Sequence, residues 1–138
     1  MRFLACAAVL AWAAALAVHD LRRRRLPNAL TLPGAVLILA VAAALGRGPA
    51  AVCGAFGLAA MYLAVHVVAP GAMGAGDVKL AVGLGALTGA FGADVWLLGA
   101  LGAPALTALF GLLAGVRTLP HGPSMCAASL VAAALALF

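Results

Sequence analysis

Asp20, in His19-Asp20-Leu21, and Asp77, in Gly74-Ala75-Gly76-Asp77, each stand at the edge of a long apolar run. With Asp94 they are the only acidic side chains in the sequence. An ionisable group at membrane depth is costly unless it is paired or hydrated, so such residues mark a functional site by default. Two carboxyl groups that share one proton are the working parts of an aspartic protease. The ionised member acts as general base on a water, and the protonated member polarises the scissile carbonyl. Like charges held close cannot both ionise, so such a pair titrates as a unit. The residue types leave open which carboxyl starts protonated, although the arginines beside Asp20 favour its ionised form and hence Asp20 as the base.

The surroundings of the two aspartates differ. Asp20 closes an apolar run, at the negative end of a helix dipole, where a carboxylate gains nothing. Capping therefore does not account for it, and the bland alternative is a surface salt bridge to Arg22–Arg25, worth little. Asp77 opens a run, where a carboxylate caps well and meets the positive end of the dipole. Gly74 and Gly76 leave no side chain in the way and permit unusual backbone angles. They could let an extended substrate lie along the backbone beside Asp77, or could simply form a tight loop. Lys79 could tune Asp77, attract an acidic substrate group, or extend its stem to the membrane surface.

The elements that position these residues are membrane helices. The 138-residue chain is 67% hydrophobic and 8% charged, whereas soluble domains average roughly 45–50% apolar and 25% charged. The expected fold is all-α, a polytopic bundle of about six transmembrane helices forming a single domain over residues 1–138, each span needing about 20 residues. Span one covers Phe3–Val18 and span two Ala29–Leu45, after Leu26-Pro27-Asn28. The breaker Gly46-Arg47-Gly48-Pro49 follows. Span three covers Ala50–Ala69 and stops at Pro70-Gly71. Span four starts near Asp77 and fades at Gly89–Gly92; span five covers Val95–Val116; after the Thr118–Pro123 loop, span six runs to Phe138. The period-two alternation of a membrane barrel is missing. The spacings Gly85–Gly89 and Gly111–Gly115 suit close helix contacts.

Charge orients the bundle. Arg22–Arg25, Lys79 and Arg117, six of the eight Lys and Arg residues, fall in the loops that are cytoplasmic when the N-terminus is outside. Asp20 and Asp77 then share the cytoplasmic side, and Asp94 lies opposite. The net charge of +5 could indicate nucleic acid, but in a chain this apolar Arg22–Arg25 read as a juxtamembrane block attracted to anionic lipid. No nucleic-acid partner is expected.

Other chemistries find little support. Cys6, Cys53 and Cys126 form no C-x-x-C pair and read as small buried hydrophobes. His19, His66 and His121 fall near the cytoplasmic side, yet their spacing follows no metal-binding motif, so neither metal nor cofactor is expected. Ser124 and Ser129, the only serines, lack a G-x-S-x-G context. Met1–Ala17 could pass for a signal peptide, but cleavage after Ala17 would leave Asp20 at a new terminus with further spans behind it.

Taken together, Asp20-Leu21 followed by Leu26-Pro27-Asn28, then Gly74-Ala75-Gly76-Asp77-Val78-Lys79-Leu80, resembles the type IV prepilin peptidases, polytopic aspartic proteases with a GxGD motif. Leu119-Pro120-His121-Gly122-Pro123 is similar to that family's Pro-x-Gly-Pro stretch before its last span. The resemblance covers about Ala17–Ala128. It implies that Asp20 and Asp77 are the catalytic pair, supported by Gly74, Gly76, Lys79, Pro27 and Asn28. It also implies cleavage of prepilin or pseudopilin leader peptides at the cytoplasmic face of the bacterial inner membrane, in company with pilus or secretion machinery. The cysteine-bearing cytoplasmic domain that accompanies N-methylation in larger members is missing, so the chain resembles the short, peptidase-only members associated with Flp-type pili. The competing expectation is a proton-coupled transporter or assembly subunit, which would predict inverted repeats and helices broken at mid-membrane; neither is visible.

Overall fold

A computed structural model describes residues Met1–Phe138. The chain forms six helices: α1 (Arg2–Arg23), α2 (Asn28–Ala44), α3 (Gly48–Val68), α4 (Ala75–Gly89), α5 (Ala93–Ala114) and α6 (Gly122–Leu137). No strand occurs among the described residues. Three of the helices, α1, α3 and α5, are long and apolar enough to cross a membrane, and α2 and α6 are shorter apolar helices. Large apolar side chains stand exposed on the outside of the bundle, among them Phe56, Val68, Leu112 and Leu135. In water this surface would be unstable; in lipid it costs nothing. The chain is an all-helical membrane protein.

The helix ends follow local chemistry and correct several expected boundaries. α1 continues past Val18 to Arg23, because Leu and Arg are good helix formers, so Asp20 lies inside the helix and not beyond it. Arg24 then takes a left-handed conformation, φ 49°, and its N–H bonds the Asp20 carbonyl at 2.8 Å. Pro27 fixes an extended entry to α2, and its carbonyl accepts from the Leu30 and Thr31 N–H groups. α5 ends at Gly115, φ 66°, where a left-handed residue satisfies the last carbonyls. Gly111–Gly115 is therefore a helix terminus and not a contact between helices, contrary to the spacing-based expectation. α4 starts at Ala75 with Gly74 as its N-cap, so Asp77 is not the cap.

α4 is the axis of the bundle and packs against α2, α3, α5 and α6. Leu80, Ala81, Leu84 and Ala86 on it are fully buried. Its 15 residues span about 22 Å at 1.5 Å per residue, less than the roughly 30 Å of a bilayer core. A helix surrounded by other helices does not have to meet both lipid surfaces. The spacing Gly85–Gly89 does form a close helix contact. Gly85 and Gly89 lie directly on Gly54 of α3, where a methyl group on Gly54 would run into the Gly85 carbonyl and come within 2.7 Å of the Gly89 Cα. Such backbone-to-backbone approach allows dispersion contact that side chains would prevent. Trp96 locks the same region from α5 by donating its indole N–H to the Gly54 carbonyl at 2.9 Å, and Trp12 ties α1 to α2 through the Leu30 carbonyl at 2.7 Å.

Candidate active site

The C-terminal end of α1 and the N-terminal ends of α4 and α6 meet at one end of the bundle. A cavity of about 290 Å³ opens there, lined by Asp20, Arg24, Arg25, Leu26, Gly74, Ala75, Gly76, Asp77 and Lys79. Asp20 and Asp77, far apart in sequence, share it, and Asp20 is near enough to act electrostatically on Asp77.

Asp20 is buried, with 6% of its surface exposed, so the surface salt bridge considered from sequence does not describe it. Its Oδ2 accepts the Gly122 backbone N–H at 2.9 Å. Gly122 is the first residue of α6, and the first N–H groups of a helix have no partner within that helix. The carboxylate thus caps a helix other than its own, gaining both a free donor and the positive end of the α6 dipole. This resolves the puzzle of a carboxylate at the wrong end of α1. A methyl group on Gly122 would overlap the Asp20 carboxylate, so glycine lets the carboxylate keep this position.

Asp77 is half-buried in the first turn of α4, three residues after the Gly74 cap. From this position a carboxylate reaches back to the N–H of the cap residue, and Asp77 turns toward the Gly74 N–H in this way. A methyl group on Gly74 would stand 3.6 Å from Asp77 Oδ2. Gly76 has a different role: a methyl group there would press on Leu26 at 3.3 Å, so this glycine lets the α1–α2 turn close over the cavity.

The remaining expected site residues divide. Lys79 is exposed at the cavity rim and donates Nζ to Asn28 Oδ1 at 2.9 Å. Pro27 and Asn28 do not line the cavity; they shape the start of α2 and, through Asn28, brace Lys79. Asp94 is exposed in the first turn of α5, near the end of α4 and away from the cavity. His19 bonds a carbonyl of its own helix, Ala15, at 3.1 Å. Nδ1 of His66, in the last turn of α3, bonds the Met73 carbonyl at 2.6 Å, which holds the segment leading into Gly74. Among the described residues no three His, Cys, Asp or Glu side chains are grouped to hold a metal ion.

A further layer of hydrogen-bonded side chains, Tyr62, Thr107 and His121, lies behind the cavity. His121, just before α6, is bonded on both ring edges: Tyr62 Oη lies 2.9 Å from Nε2, and Thr107 Oγ1 lies 2.6 Å from Nδ1. Tyr62 is buried and lies within range of the Asp77 charge. The buried Cys126 thiol is within range of both carboxylates. Burial holds the His121 pKa below the ordinary histidine value. The Pro120-His121-Gly122-Pro123 run was the only sequence signal for this layer; nothing in the sequence singled out Tyr62 or Thr107.

A model of the type IV leader peptidase family matches residues 7–138. The chain belongs to that family. The match takes in all six helices apart from the first residues of α1, so the whole cavity lies within it. Comparison with curated proteins and with solved structures gives no match. Membership of the leader peptidase family makes the chain a membrane peptidase, and its two cavity-lining carboxyl groups are of the kind that peptide hydrolysis by an aspartic mechanism requires.

Proposed function

We propose that this leader peptidase family member is an aspartic endopeptidase that removes the leader peptide of type IV, Flp-type prepilins, with Asp20 and Asp77 as its catalytic pair. The observation that carries the reading is the convergence of two carboxyl groups, from α1 and α4, on one cavity in a chain with a single other acidic residue. Asp20 is assigned the base, because its Oδ2 accepts the Gly122 N–H at 2.9 Å and the Arg24 charge acts on it. Ionised Asp20 removes a proton from a water as the water oxygen bonds to the scissile carbonyl carbon. Protonated Asp77 donates a hydrogen bond to the carbonyl oxygen. The tetrahedral adduct collapses with cleavage of the C–N bond, and the proton that Asp20 took from the water passes to the leaving amine. The open flank at Gly74, where a methyl group would meet only Asp77, leaves room for an extended peptide beside Asp77.

The proposed location is the inner membrane, multi-pass and with the N-terminus outside. The distribution of basic residues supports this, since it turns the cavity end toward the cytoplasm. Arg22–Arg25 are exposed beside the cavity and suit the headgroups of anionic lipids. Prepilins or pseudopilins are the substrates in this reading, and pilus or secretion machinery its setting.

The test is processing of a co-expressed prepilin in membranes, with wild type compared against Asp20→Asn and Asp77→Asn at equal membrane abundance. Processing by wild type that is lost in both variants is the expected result. Processing that persists in either variant overturns the assignment of the pair.

A further inference from the structure

Tyr62, His121 and Thr107 come from α3, the α5–α6 loop and α5, and they form one chain of hydrogen bonds beside the cavity. Its proton order can be worked out atom by atom. Thr107 Oγ1 lies 3.1 Å from the Ala103 carbonyl, which can only accept, so the single hydroxyl proton of Thr107 is used there. Thr107 Oγ1 must then accept from His121, whose Nδ1 carries the proton across the 2.6 Å contact. A neutral ring protonated on Nδ1 leaves Nε2 bare, and the Tyr62 hydroxyl donates to it at 2.9 Å. A buried tyrosine hydroxyl needs such a partner, and burial keeps the His121 ring neutral. The ring is thereby fixed at both edges in one tautomer.

This anchoring has a direct effect one residue further on. The N–H of Gly122, adjacent to His121 in the chain, is the group that holds Asp20 Oδ2 at 2.9 Å. Tyr62, at the other end of the chain of bonds, feels the charge of Asp77. The network therefore touches one aspartate through a backbone N–H and the other through a side chain. We propose that His121 is a positioning residue for the aspartate pair: clamped between Tyr62 and Thr107, it fixes the Gly122 N–H against Asp20. The inference rests on the reading of Asp20 and Asp77 as the catalytic pair.

Two measurements on the full-length protein in detergent test it. The first does not depend on activity. In protein labelled with ¹⁵N-histidine, His121 should show a protonated Nδ1 and a bare, hydrogen-bonded Nε2 at neutral pH, and Tyr62→Phe should shift Nε2 selectively. The opposite tautomer, or a cationic ring, overturns the inference.

The second measurement is prepilin cleavage kinetics. Tyr62→Phe and Thr107→Val should each lower kcat by about ten- to a hundred-fold, the scale of a misplacement of up to 1 Å at a catalytic group. KM and the unfolding temperature should stay close to wild type. The double variant should be little worse than the poorer single one, because both release the same ring. His121→Gln, which keeps an acceptor and a donor, should recover part of the activity that His121→Ala loses. Additive losses, equal damage by Gln and Ala, or unchanged kcat overturn the inference. If Asp20→Asn abolishes cleavage while the three-residue network proves dispensable, this inference alone fails. If Asp20→Asn still cleaves, the reading of the site fails and takes this inference with it.

Discussion

Replacing Gly122 by alanine is the sharpest single test of the site geometry. The added methyl group would overlap Asp20 Oδ2 and stand 3.1 Å from its Cγ, closer than nonbonded carbons sit. The carboxyl group would have to swing away, and the 2.9 Å bond from the Gly122 N–H would be lost with it. A hydrogen bond to a charged group is worth about 1.5–3 kcal/mol, equivalent to about ten- to a hundred-fold in rate if it acts at the transition state. Displacement of the carboxyl group by about 1 Å adds up to another hundred-fold. A fall in kcat of at least tenfold is therefore expected, with KM little changed. The assay is the initial rate of leader removal from a purified prepilin in detergent, normalised to folded enzyme. Gly71→Ala is the matched control, because nothing lies within 4 Å of a methyl group at that site. If Gly122→Ala cleaves within threefold of the Gly71→Ala control, the bond does not hold a catalytic carboxylate.

Other expectations concern stability. Gly54→Ala would drive a methyl group into the Gly85 carbonyl and the Gly89 Cα; backbone cannot rotate aside, so a loss of about 1–3 kcal/mol or more should appear as a lower unfolding temperature. Asn28→Ala and Lys79→Ala remove the two ends of one exposed bond, so each should cost less than about 1 kcal/mol and the pair no more than one alone. His121 titrates below its ordinary 6.5 in the folded chain. Unfolded protein therefore binds more protons than folded protein just below that pH, and stability should fall as pH drops through 6.5 and level off below the folded-state pKa. His121→Gln should remove that component of the slope in pH-dependent unfolding curves.

The parts of this molecule that could be read from sequence are those signalled by contrast. Asp20 and Asp77 stood out because carboxylates are scarce in so apolar a chain, and their shared end followed from the placement of arginines. Helix number followed from the breakers, such as Gly46-Arg47-Gly48-Pro49. What could not be read is what lipid conceals. In water, a helix announces its buried face by a polar opposite face; α4 is the most buried helix here, yet lipid-facing Phe56 and Leu112 are as apolar as buried Leu80 and Leu84. Tyr62 and Thr107 gave no signal because their role depends on meeting His121, 59 residues away for Tyr62. Asp20 misled for the same reason: its capping partner belongs to a helix 102 residues further on. Gly85–Gly89 and Gly111–Gly115 carried the same spacing, and only tertiary structure separates an interface from a helix end.

The close approach of Gly54 to Gly85 and Gly89 changes what mutation can do to this chain. Exchanging a helical glycine for alanine is a standard route to a more stable protein, because alanine narrows the unfolded ensemble and favours helix. At these codons the ordinary preference is reversed. Every missense change adds at least a β-carbon, and the β-carbon itself is the obstacle, so no gentle substitution exists from which a better one could be reached. A stability screen would have to find its gains on the lipid-facing helices and leave the α3–α4 seam untouched. The glycines of this seam serve the scaffold, whereas Gly74 and Gly122 stand against the two aspartates.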